Sequence, residues 1–207
     1  MGQYYIVVNV DRKEYLDPLK FNDGLKLLEI TGGRSFTLSA LALLLADGNG
    51  RGGGDFPCSS SSVPDVNEWL GRWAGNRIVV AGDYADDCKF LSDEDISRFY
   101  QSHPEALEFI KRHRRKGPNL YEAAKLTFTD ISEHMIAVML QDSGMRQELL
   151  EELAYLLRIN GSAYRLKESG NRFVRALLKA FEISGEQFDL FEFASKALAS
   201  QNTQMFR

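Results

Sequence analysis

Gln3-Tyr4-Tyr5-Ile6-Val7-Val8-Asn9-Val10, then Asp11-Arg12-Lys13, then Glu14-Tyr15-Leu16, is the stretch on which the fold turns. Tyrosine, isoleucine and valine suit a pleated, half-buried surface, so the first run reads as a strand. The short polar break before Glu14-Tyr15-Leu16 predicts a hairpin. Asp17-Pro18 closes its second strand, because proline has no N–H to give to a ladder. The chain therefore opens on a sheet, and later segments must be placed against it.

Working outward, residues 21–30 read as a short helix or an irregular segment closed by Gly32-Gly33. Residues 37–46 predict a buried helix, with Leu38, Leu41, Ala42 and Leu45 on one face, Thr37 as its N-cap and Gly48 as a left-handed stop. Ile78-Val79-Val80-Ala81, between Arg77 and Gly82, is an unbroken apolar run and predicts a strand buried on both faces. From Ser92 the texture is helical. Ser92 with Asp95 forms a capping box, a helix over 104–115 stops at Gly117-Pro118, and Thr129 with Ser132-Glu133 opens a helix to Gln141. Ser143 caps a helix over 145–159 striped by Leu149, Leu153, Leu156 and Leu157 and ended by Gly161. Helices over 171–183, with Phe173, Val174, Leu177, Leu178 and Phe181, and over 188–199 complete the chain. The expected fold is α+β: a small N-terminal sheet with its hairpin, a glycine-rich loop and a C-terminal helical bundle. The division falls into residues 1–91, containing a Gly/Ser-rich loop at 47–64, and residues 92–207, with the two free to share one continuous core.

The 207 residues suffice for one domain or two small ones, and 44% hydrophobic with 26% charged residues excludes a wholly disordered chain. A net charge of −4 is too mild to announce a nucleic-acid or membrane partner by itself. Cys58 and Cys88 cannot build a multi-bridge framework, so a reducing compartment is the simpler expectation. No basic n-region with a long apolar stretch opens the chain, and the apolar run 38–46 is far short of the ~20 residues that span a bilayer. A cytoplasmic protein with no membrane partner is expected.

Three constellations carry candidate chemistry. The loop Asp47-Gly48-Asn49-Gly50-Arg51-Gly52-Gly53-Gly54-Asp55 partly matches a calcium loop, with oxygen ligands at its first, third and ninth positions and glycine at its sixth. Arg51 at the fifth position and Cys58 at the twelfth depart from that pattern. The same loop suits an anion or nucleotide, since Gly50, Gly52 and Gly53 let backbone N–H groups converge and Arg51 adds a fork of donors. It is not a P-loop, because no Gly-Lys-Ser/Thr follows.

Asp83, with Asp86 and Asp87, follows the strand at 78–81, where carboxylates are often placed for metal or acid–base work. Asp47, Asn49, Asp55 and Asp83 together would make an oxygen-lined site for calcium or magnesium. A solvated turn explains the same aspartates, which favour turns anyway.

The third constellation is basic: Lys111, Arg112, Arg114, Arg115 and Lys116, with Arg172, Arg175 and Lys179 further on. Such residues neutralise phosphates on nucleic acid, and they equally complement helix C-termini. His103, His113 and His134 show no ligand spacing, and no G-x-S-x-G elbow is present. Trp69 and Trp73 read as core.

The runs MGQYYIVVNVDRKEY (residues 1–15), LALLLADGNGRGGGD (41–55) and WAGNRIVVAGDYAD (73–86) resemble a family of small proteins from bacteria and their viruses. The resemblance implies that these three segments belong together, and it brings no activity. The leading expectation is a non-enzymatic binding or interaction protein for a ligand or protein partner. A metal-assisted or phosphate-handling enzyme using the acidic and glycine-rich loops is the first alternative. A nucleic-acid-binding protein using the basic helical segments is the second.

Overall fold

A computed structural model describes residues 2–48, 56 and 64–204. In chain order these form β1 (Tyr5–Asn9), β2 (Glu14–Leu16), a 3-10 turn (Pro18–Phe21), α1 (Leu27–Thr31), α2 (Phe36–Leu45), α3 (Val66–Trp69) and β3 (Ile78–Gly82). There follow α4 (Asp93–Ser102), α5 (Pro104–Arg112), α6 (Leu120–Thr127), β4 (Thr129–Asp130), α7 (Ser132–Met139), α8 (Ser143–Asn160), α9 (Ala163–Glu168), α10 (Arg172–Ile183) and α11 (Leu190–Gln204). The fold is α+β, as the opening stretch and the helical remainder require. Two compact units share it: Met1–Asp47 with Gly71–Ser132, and Gly48–Leu70 with Glu133–Arg207. None of the helices, among the described residues, is long and apolar enough to cross a membrane.

The first unit is built on a four-stranded sheet in the order β3-β1-β2-β4. β1 pairs antiparallel with β2 (Val8 opposite Tyr15) and with β3 (Val8 opposite Val79), whereas β2 and β4 run parallel. Asn9 makes the hairpin turn possible: its Oδ1 accepts from the N–H of Asp11 at 3.1 Å and of Arg12 at 2.9 Å. Ile6, Val8, Val10, Tyr15 and Ala81 form one face of the sheet and pack with Leu120 and Ala124 of α6. On the other face Val7 and Leu16 are fully buried, and Glu14 is nearly so. Burial on both sides explains why the opening run is continuously apolar instead of alternating.

Several expectations are corrected. β3 is not buried on both faces: it is an edge strand, and Val80 is 44% exposed. α2 turns a different face inward, burying Phe36, Thr37, Ala40 and Leu44 and leaving Leu38 and Leu45 exposed. Its N-cap is Ser35, whose Oγ accepts from the N–H of Leu38, and its last residue is followed by Ala46, not by a left-handed glycine. Thr129 starts the short strand β4, not a helix, and Asp142 caps α8 where Ser143 was expected to.

In the second unit Leu149, Leu153, Leu156 and Leu157 are buried on α8, and Gly161 ends that helix at φ 75°. Phe173, Val174, Leu177 and Phe181 are buried on α10, and the Phe181 and Phe188 rings stack at 4.3 Å. Trp73 is core, as its chemistry predicts, while Trp69 is half-buried and stacks on His134 at 5.1 Å.

Candidate functional site

Of the acidic and glycine-rich constellation, Asn49, Gly50, Arg51, Gly52, Gly53 and Asp55 lie outside the described residues. Asp47 is exposed. Asp83 clips two strands together: its N–H donates to the Tyr4 carbonyl at 2.9 Å, and its Oδ1 accepts from the Tyr4 N–H at 3.0 Å. Its own carbonyl accepts from Asn119 Nδ2 at 2.9 Å, which anchors the start of α6 to the end of β3. Among the described residues no group of three or more His, Cys, Asp or Glu is placed to hold a metal ion.

The basic residues divide. Arg115 Nε donates to Asp87 at 2.8 Å, and its two terminal nitrogens donate to Glu122 at 2.7 and 2.8 Å. The hydrogen bonds it donates to Glu122 and Asp87 push its guanidinium pKa up in spite of burial. Burial raises the Asp87 carboxyl, but bonds from the Arg115 side chain and the Lys116 N–H outweigh it and leave that carboxyl low. Arg115 is thus a tie between the Asp87 turn and α6. Lys111, Arg112, Arg114 and Lys116 are exposed on the first unit. On the second unit Arg172, Arg175 and Lys179 are exposed, with Lys179 Nζ 2.7 Å from Glu182.

The outer edge of β3 has no neighbouring strand among the described residues. Val10 N–H bonds to the Arg77 carbonyl and Asp83 N–H to the Tyr4 carbonyl, so the odd-numbered residues of β3 face β1. The N–H and C=O of Ile78 and Val80 therefore point away from the sheet, and no backbone partner meets them among the described residues. Beside this edge lies a cavity of about 300 Å³, walled by Val79, Ala81, Leu120, Tyr84, Ala85 and Phe90. Val79, Ala81 and Leu120 place it on the α6 side of the sheet.

Tyr84, at 66% exposed, and Phe90, at 45%, stand at its mouth. Phe90 and the neighbouring Cys88 both adopt left-handed backbone, at φ 67° and 59°. A bulky side chain in that region is a true outlier, of order 1–3 kcal/mol in strain. The turn holds it there: Cys88 N–H donates to the Pro118 carbonyl at 2.9 Å, and Asp87 is fixed by Arg115. A second hollow of about 420 Å³ shares Tyr84 and Ala85 and extends to Phe109 and His113 of the α5 end, whose rings lie 4.1 Å apart.

Sequence reasoning passed over Tyr84 and Phe90. The available signal was two aromatics within a few residues of an unbroken apolar strand, a pattern that a buried strand with a solvated turn also gives. Comparison with models of known protein families, with curated proteins and with solved structures finds no match to this chain.

Proposed function

We propose that this protein is a non-enzymatic interaction protein that takes an extended peptide segment onto the outer edge of β3. The observation that carries the reading is the outward N–H and C=O of Ile78 and Val80, a ready template for one more strand. Each added backbone bond contributes about 0.5–1.5 kcal/mol net, which makes the added strand a weak and reversible attachment. A binding role also agrees with how the buried acids are used. Among the described residues, the buried acids Glu14, Asp17 and Asp95 each hold a structural basic partner, and Asp23 accepts hydrogen bonds at the start of α2.

The test selects linear peptides from a displayed random library on the intact chain and then measures their affinity for Val80→Pro. The Val80 N–H faces outward, so proline there removes the edge donor without breaking a ladder bond. The expected result is at least a tenfold loss of affinity with the melting temperature little changed. N-methylation of alternate amides in the selected peptide, which leaves the protein untouched, is expected to give the same loss. Failure to enrich any peptide, or equal affinity after both changes, overturns the reading. A rise in melting temperature with calcium or magnesium that Asp83→Asn removes would favour the metal-assisted alternative instead. Retention on DNA or RNA that falls steeply with salt would favour the nucleic-acid alternative.

A further inference from the structure

Resting on that reading, we infer that the peptide taken up is selected by one large apolar side chain, of leucine to phenylalanine size, lodged in the cavity beside β3. A strand added outside β3 places the side chains opposite Val79 and Ala81 on the same face as those residues, because directly opposed residues share a face. That face is the α6 side, where Val79, Ala81, Leu120, Ala85 and Phe90 enclose about 300 Å³. Its aliphatic and aromatic wall is flanked by the polar Asp86 and Lys89, and its volume lies at the small end of ligand cavities, ~300–1,000 Å³. It suits a single bulky side chain.

The same geometry distinguishes this occupant from a second copy of the chain. Two β3 edges paired antiparallel about Val80 would set Val79 of one against Ala81 of the other. Those two side chains together carry no more carbons than one leucine and spread them over two positions, whereas a single leucine or phenylalanine concentrates its bulk at one. The strained Phe90 backbone is explained as well: a left-handed residue there presents the ring at the mouth, where it closes over an incoming side chain. Lys89 Nζ stands 5.4 Å from the Phe90 ring centroid and 3.6 Å from Asp86, which gives the apolar mouth a polar rim.

The experiment uses acetylated, amidated Thr-Ser-Thr-X-Thr-Ser-Thr peptides with X as Phe, Leu, Ala or Glu. Each is titrated against the intact chain, with binding read from the amide resonances of Ile78 and Gly82. Phe and Leu are expected to bind at least tenfold more tightly than Ala, with Glu weakest. Ala85→Leu, which partly fills the cavity and leaves the β3 edge open, is expected to reduce the Phe-to-Ala ratio to under threefold. Val80→Pro is expected to weaken all four peptides. Equal binding of all four with loss in Val80→Pro overturns the cavity inference and leaves strand addition standing. No binding of any peptide, or binding that ignores Val80→Pro, overturns both. Self-association of the free chain that Val80→Pro abolishes would assign the edge to a second copy and likewise overturn both.

Discussion

Asp23 shows how a single residue organises its surroundings from a distance. Its Oδ2 accepts from Ser35 Oγ at 2.9 Å and from the Thr37 N–H at 2.7 Å, where α2 begins. Burial raises its pKa, and the bonds from Thr37, Ser35 and Phe36 only partly offset that. A carboxyl whose folded pKa exceeds its unfolded value binds more protons when folded. Its contribution to stability therefore grows as pH falls through the window between the two values. Wild type is thus expected to gain stability relative to Asp23→Asn when urea unfolding is compared at pH 7 and then below the folded pKa. A difference that stays constant or moves the other way refutes the assignment. No local signal links Asp23 to Ser35 and Thr37. The sequence offered Thr37 as a cap because it directly precedes the leucine run, while the true cap lies two residues earlier.

At the scale of elements, legibility followed contrast. The hairpin stood out as two β-type runs parted by a short polar break, the Ser92–Asp95 capping box by its polar pair three residues apart, and the α8 stripe by its helical period. α2 has no such contrast. Phe36-Thr37-Leu38-Ser39-Ala40-Leu41-Ala42-Leu43-Leu44-Leu45 is apolar nearly all round, so periodicity could not choose its inward face. The structure chooses it, and substitution tests the choice. Leu44→Ala is expected to destabilise by about 2–5 kcal/mol, whereas Leu38→Ala and Leu45→Ala stay near 0.5 kcal/mol, measured by chemical denaturation. Comparable losses at all three positions would show that the other face is also covered. β3 was misplaced for a related reason: an unbroken apolar strand suits the centre of a sheet or an edge beside a cavity equally well.

At the scale of the molecule, the first unit is assembled from two separated stretches of chain. Glu14 joins them: it accepts from Arg72 Nε at 3.1 Å and from Trp73 Nε1 at 2.7 Å. The Gly71 and Trp73 N–H groups also donate to the Leu43 and Leu44 carbonyls at 2.9 and 2.8 Å. Glu14→Ala removes the acceptor of the buried Trp73 indole N–H and an ion-pair partner of Arg72, for an expected loss of about 3 kcal/mol. Hydrogen exchange should report that loss in β1 and β2, with α8 and α10 keeping their protection; uniform loss across both sets would contradict it. The sequence placed Glu14 in a strand but could not show which distant side chains meet it, since such pairing has no local signature. The strand order carries a further consequence for biosynthesis. As the nascent chain leaves the ribosome, β1 and β2 emerge first with both flanks bare. β3 begins only at residue 78, and β4 comes later still. The young hairpin is therefore open to unwanted neighbours on its β1 flank until residue 82 has emerged and on its β2 flank until residue 130.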